Sequence, residues 1–112
     1  MTYKALLIDG NSYHADQLQE RMKSLGVATE TVRSPERALT MLKRMSETFD
    51  LVIVNVSNGA YPWLRTLRGL RDAAFQQDRD LIPKFLCVSK TKQAPEFVLS
   101  LEEIGARYVL EG

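Results

Sequence analysis

Apolar and polar positions alternate along the chain in two distinct rhythms. Lys4-Ala5-Leu6-Leu7-Ile8-Asp9 is a short apolar run that stops at an acid, the pattern of a buried strand. From Ser12 to Leu25, the residues Ala15, Leu18, Met22 and Leu25 recur at steps of three and four, which predicts one apolar face of a helix. Gly26 stands where a helix C-cap glycine belongs. Val27 to Val32 is β-rich and only half apolar, which suits a strand near a sheet edge. Ser34-Pro35 then sets an N-cap hydroxyl before a proline at the first helical position. Ala38, Leu39, Leu42 and Met45 mark the buried face of this second helix.

Leu51-Val52-Ile53-Val54-Asn55-Val56 is almost continuously apolar and β-branched, so the pattern predicts a strand covered on both faces, as in a parallel sheet. Leu64, Leu67, Leu70 and Ala74 define a third helix, and Pro83 introduces a further buried strand, Phe85-Leu86-Cys87-Val88, ending at Ser89. Phe97, Val98, Leu101 and Ile104 define a fourth helix ended by Gly105, and Arg107 to Glu111 is a last strand. Strict alternation of strand and helix without repeats or linkers implies a doubly wound parallel sheet with right-handed crossovers.

Composition narrows the class of protein. The 112 residues suffice for one domain, spanning residues 1–112, with a single core. Lys+Arg 15 against Asp+Glu 14 gives a formal net charge of +1, without the basic excess of a dedicated nucleic-acid or membrane-surface binder. No apolar run approaches the roughly 20 residues that span a bilayer, and no signal peptide is expected before the first strand. A single cysteine, Cys87, excludes an internal disulfide and a cysteine-based zinc cluster, and a single histidine, His14, excludes a multi-histidine metal site. A cytoplasmic domain with no catalytic equipment, metal or cofactor is the expectation.

Ligand and reaction sites in doubly wound sheets lie outside the carboxyl ends of the strands. Asp9 with Gly10, Asn55, Ser89 with Lys90, and Glu111 occupy those ends. In order and spacing, the chain resembles the receiver domain of bacterial two-component response regulators. Lys4 to Asn11 is similar to that family's first strand and its acidic pair, and Phe49 to Asn55 to the strand that ends in the phosphoacceptor aspartate. Ile82-Pro83 through Ser89 is similar to the segment ending in the phosphate-binding Ser/Thr, and Gly105-Ala106 with Tyr108-Val109-Leu110 to the approach to the family's lysine. The resemblance implies a flavodoxin-like, five-stranded parallel sheet in the order 2-1-3-4-5. The chain stops at Gly112, where the family adds a fifth helix, so that helix is expected to be lacking, with apolar residues of the first and last strands partly uncovered.

Residue by residue, the family's chemistry does not carry over. The phosphoacceptor position holds Asn55, whose neutral amide offers no anionic oxygen to attack phosphorus. Of the Mg²⁺-holding acidic pair only Asp9 survives, its neighbour being Gly10; the ion relies on carboxylate oxygens and should bind far more weakly. The lysine position holds Glu111, or Gly112 in the alternative register, and the Met-Pro pair after the phosphoacceptor is replaced by Asn58-Gly59. Ser89 is the only phosphate-handling residue retained. These losses imply a pseudo-receiver that does not accept phosphate.

Other residues carry two readings each. Lys90 is either a solvated lysine or a cation folded over the pocket onto Asp9 or Glu111. Asp9, Glu111 and the Asn55 carbonyl form a weak candidate for a divalent cation. His14 is expected to be a solvated helix residue near the site rim. Arg65, Arg68 and Arg71 read as a solvent-facing stripe, and Cys87 as an inert buried thiol. Tyr61-Pro62-Trp63 either plugs a disused pocket or forms a contact patch. Tyr108 matches the family's aromatic switch and is expected to be fixed in one state. The resulting expectation is a non-enzymatic signalling module that recognises a protein partner: a signalling kinase, a regulator or a second copy in a homodimer. Its partner surface would involve Tyr61, Trp63 and Tyr108. Two alternatives stand beside it: a small-ligand or nucleotide-binding domain, weakened by the single glycine in Asp9-Gly10-Asn11-Ser12, and a regulatory domain of a larger transcription factor or sensor kinase.

Overall fold

In a computed structural model of the chain, β1 (Tyr3–Ile8), β2 (Val27–Val32), β3 (Leu51–Asn55), β4 (Lys84–Ser89) and β5 (Ala106–Leu110) form one parallel sheet. Their spatial order is β2-β1-β3-β4-β5, as the resemblance implies. The structure describes residues 3–44, 49–57, 65, 67–69, 71–72 and 84–111. The polar, half-apolar β2 is an edge strand, whereas β3, with three consecutive buried residues, lies at the centre.

The helices are α1 (Ser12–Ser24), α2 (Pro35–Arg44), α3 (helical at residues 65, 67–69 and 71–72) and α4 (Pro95–Glu103). Asn11 caps α1, its side-chain oxygen accepting the His14 backbone N–H at 3.1 Å. Ser34 caps α2 in the same way, accepting from the Arg37 N–H at 3.3 Å. Glycines close two of the helices: Gly26 at φ +80° and Gly105 at φ +83° adopt the left-handed turn that releases the chain toward β2 and β5. Leu25 does not join the apolar face that its spacing predicts. It is the C-cap of α1, where the chain leaves helical geometry, and it is 75% exposed.

Strand alternation sorts the core into two layers. On one side Leu6, Ile8, Val52, Val54, Phe85, Cys87 and Ala106 pack with Ala38 of α2, Leu67 of α3, and Phe97 and Leu101 of α4. On the other, Leu7, Ile53 and Val88 pack with Ala15 of α1, joined by half-buried Leu18, Met22, Leu51 and Leu86. The first layer is thicker. Arg71 ties α3 to the end of α4, donating to the Ile104 carbonyl at 3.2 Å, so it is not a purely solvent-facing residue of the arginine stripe. Leu64, Leu70, Ala74, Met45 and Pro83, and the side chains of Leu39 and Leu42, lie outside the described residues.

A Cβ at Gly26 would meet nothing within 4 Å, so replacing it costs only the backbone its left-handed conformation. Gly26→Ala should lower stability by about 1 kcal/mol in urea unfolding, and an unchanged midpoint would contradict the role of this turn.

Candidate functional site

Parallel pairing brings the carboxyl ends of β1, β3, β4 and β5 to one rim of the sheet, and with them Asp9, Asn55, Ser89 and Glu111. Asp9 follows the fully buried Leu6-Leu7-Ile8 and is itself only 1% exposed. A buried carboxylate needs hydrogen-bond donors on its oxygens. Its Oδ1 accepts from the Asn11 backbone N–H at 2.9 Å and from Asn55 Nδ2 at 2.9 Å. Its Oδ2 faces Nδ1 of His14 in a direct hydrogen bond.

His14 is therefore not the solvated residue its place early in α1 suggested. It is 3% exposed, and its second ring nitrogen, Nε2, bonds Oε2 of Glu111 at 2.9 Å. One imidazole thus bridges the acid at the end of β1 and the acid just beyond β5. Burial disfavours the imidazolium, but the hydrogen bonds and charges of Asp9 and Glu111 outweigh it, and the pKa of His14 is raised above its ordinary 6.5. The cation that faces these acids is thus the histidine, not Lys90. Lys90 is exposed and, among the described residues, its ammonium has no ion pair; only its backbone N–H is engaged, donating to Ser57 Oγ at 3.2 Å. His14, by contrast, is held at the rim by the first turn of α1, where Asn11 caps its backbone N–H.

The remaining polar atoms are committed locally. Asn55 Oδ1 accepts from the Ser57 N–H at 3.0 Å and from the Ser57 hydroxyl at 2.6 Å. Ser89 Oγ accepts from the Thr91 N–H at 3.2 Å and from Gln93 Nε2 at 3.0 Å, and donates to the Thr91 carbonyl. The Ser89 carbonyl accepts the Glu111 N–H at 2.7 Å, which fastens the bridging acid to β4. Tyr108 packs half-buried against the larger core layer, and its hydroxyl donates to the Thr91 carbonyl at 3.4 Å. Tyr61, Trp63, Asn58 and Gly59 lie outside the described residues, as does Gly112.

Sequence reasoning missed His14, Asn11, Ser57, Thr91 and Gln93. One signal was available for the first: a site with a glutamate in the lysine position needs a positive charge from elsewhere, and the chain has a single histidine.

The Mg²⁺ that the fold family implies does not fit these residues. Both oxygens of Asp9 are taken by donors, Asn55 turns its amide nitrogen toward that carboxylate, and His14 stands between the two acids. Gly10 leaves the second acid out for no steric reason, since a Cβ there would meet only the Arg33 carbonyl at 3.8 Å. Among the described residues no cluster of His, Cys, Asp and Glu converges as metal ligands.

The fold is that of the response regulator receiver domain. Solved structures similar to this chain include a response regulator from Thermotoga maritima, at TM-score 0.79 and 20% identity, matching 99% of this chain and 86% of that one. The chemotaxis protein CheY4 of Vibrio cholerae matches at TM-score 0.78 and 18% identity over 99% of this chain and 88% of its own. HP1043, an orphan response regulator of H. pylori, matches at TM-score 0.73 and 20% identity over 97% and 82%. No family model and no curated protein matches the sequence.

The raised pKa of His14 makes a signed prediction. The stabilisation from its bridge is fully present below the unfolded pKa near 6.5 and is lost as pH rises through the higher folded pKa. Thermal midpoints should therefore fall as pH rises above about 6.5 through the neutral and mildly alkaline range, and His14→Gln should flatten the profile. Cys87, pushed up to about 12 by burial, does not titrate in that window. A midpoint independent of pH in the wild type would contradict the bridge.

Proposed function

We propose that this chain is a receiver-like module of two-component-type signalling that works without accepting phosphate and acts by binding a protein partner, such as a signalling kinase or a regulator. The observation that carries this reading is the bridge of His14 between Asp9 and Glu111, which fills the rim of the sheet with an internal cation. A phosphoryl group needs a carboxylate nucleophile, a metal to neutralise its oxygens and a free hydroxyl. Here the nucleophile position is an amide already bonded to Asp9 and Ser57, the acids are paired with His14, and Ser89 is held in its own turn.

The same bonding argues against catalysis. A general base needs one nitrogen free to accept a proton, and both nitrogens of His14 face carboxylates. The neighbouring hydroxyls of Ser57 and Ser89 are bonded to groups other than that ring. No helix among the described residues is long and apolar enough to cross a membrane, and a role inside the cytoplasm fits this module.

The direct test is incubation with acetyl phosphate, and separately with beryllofluoride, in the presence of Mg²⁺, followed by amide NMR. The expected outcome is no saturable shift at Asn55, Ser57 or Ser89. Saturable shifts centred on Asn55 would overturn the reading.

A further inference from the structure

The sheet order β2-β1-β3-β4-β5 leaves two outer edges, β2 and β5, and no strand among the described residues pairs with either. Which strands are edges follows from that order, whatever lies over the faces of the sheet. An unpaired edge is a row of main-chain donors and acceptors open to another strand. Peptide groups along a strand point alternately to its two sides, so one fixed bond gives the direction of the others. On β2 the Val32 carbonyl accepts the Asp9 N–H at 3.0 Å, so Val32, Glu30 and Ala28 turn their peptide groups to β1 and Thr31 and Thr29 turn theirs outward. That edge is guarded from α1, where Gln19 Nε2 donates to the outward Thr29 carbonyl at 3.3 Å.

The β5 edge carries no such guard. The Glu111 N–H donates to the Ser89 carbonyl at 2.7 Å, so Glu111, Val109 and Arg107 turn to β4. Tyr108 and Leu110 therefore present their N–H and C=O groups outward, and among the described residues nothing bonds those groups. The side chains around them have a self-complementary order. Antiparallel pairing about Val109 sets Val109 against itself, Tyr108 against Leu110 and Arg107 against Glu111. Tyr108 and Leu110 would exchange both main-chain hydrogen bonds, and the other pairs would occupy the closer, non-bonded positions. Tyr108 and the 47% exposed Leu110 share one face, and Arg107, Val109 and Glu111 the other. Arg107 is exposed with no ion pair among the described residues, and Glu111 keeps only Oε2 on His14, its Oε1 having no partner. Neighbouring registers lose this match: Tyr108 against Tyr108 puts Arg107 opposite Val109, and Leu110 against Leu110 puts Glu111 opposite Val109.

We propose that β5 pairs antiparallel with β5 of a second copy of this chain, across a two-fold axis at Val109, so that two sheets join into one. Main-chain bonds from Tyr108 and Leu110 supply the attraction common to strand addition. The cross-strand pairs Tyr108–Leu110 and Arg107–Glu111, each made twice by the symmetry, fix the register and select the same chain as partner. The proposal rests on the reading of the chain as a protein-binding module, naming a second copy as the partner, but it fails separately. Phosphate-dependent shifts at Asn55 would remove that reading, whereas a chain that stays monomeric removes only this interface.

Sedimentation velocity of the 112-residue chain, taken up to the sub-millimolar range, should show a reversible monomer–dimer equilibrium. Leu110→Pro removes an outward N–H that β4 does not use, so it should weaken the dimer at least about tenfold while far-UV circular dichroism stays that of the wild type. Arg107→Glu, which sets like charges across the strand, should weaken it by about the same factor and keeps the test sound if proline loosens β5. Val109→Cys reads the register directly, because residues facing each other at a non-bonded antiparallel position lie within disulfide reach. Under mild oxidation it should form a covalent dimer, while a cysteine at the exposed Leu99 of α4 should not; the native Cys87 is buried. A monomer at every concentration would overturn the proposal. So would a dimer that both Leu110→Pro and Arg107→Glu leave intact, or cross-linking at position 109 no better than at position 99.

Discussion

Two carboxylates at the ends of different strands would repel one another across the rim of the sheet, and a single imidazole turns that repulsion into attraction. His14 reaches from the first turn of α1 to Asp9 after β1 and to Glu111 after β5, strands that are not neighbours in the sheet. Its backbone is fixed by the same turn, since the Asn11 cap accepts the His14 N–H. Asp9 is the hub of this arrangement: it holds the Asn11 N–H and the Asn55 amide on one oxygen and the His14 ring on the other. Removing any donor would leave a buried charge partly unpaired, which is far more costly than losing the bond itself.

This constraint also defines what the site can do. The receiver scaffold places acids, a hydroxyl and a strand-end residue in one rim, and in this chain every one of them is bonded to another group of the protein. The positive charge that faces the two acids at this rim comes from a side chain, His14. Fold and function separate here along physical lines: the two core layers that stabilise the sheet consist of apolar residues away from the rim, so the rim can change its chemistry while the sheet retains its order.

The two layers are unequal. The layer under α2, α3 and α4 encloses large, fully buried side chains such as Phe97 and Leu101. The layer under α1 is thinner, and its flank toward β5 carries exposed Val109 beside Arg107. Glu111, bonded to His14 through Oε2, also lines the cavity between α1 and β5.

Much of this was legible in the residues themselves. Unbroken β-branched runs such as Leu51 to Asn55 had to be central strands, because only a surface covered on both sides tolerates that pattern, and the polar β2 had to be an edge. The glycines after α1 and α4 and the Ser34-Pro35 start of α2 are set by local backbone energetics and needed no tertiary information. The residue types at Asn55, Gly10 and Glu111 are likewise read directly from the chain. What only the tertiary structure decided is contact between residues far apart in the chain. His14 and Glu111 are separated by 97 positions, and no periodicity distinguishes a histidine that faces water from one that faces two acids. Leu25 went the other way, since where a helix ends depends on the turn that follows it. Local pattern sets strand, helix and chemical type, whereas burial and pairing of a charge depend on which distant groups the folded sheet brings beside it.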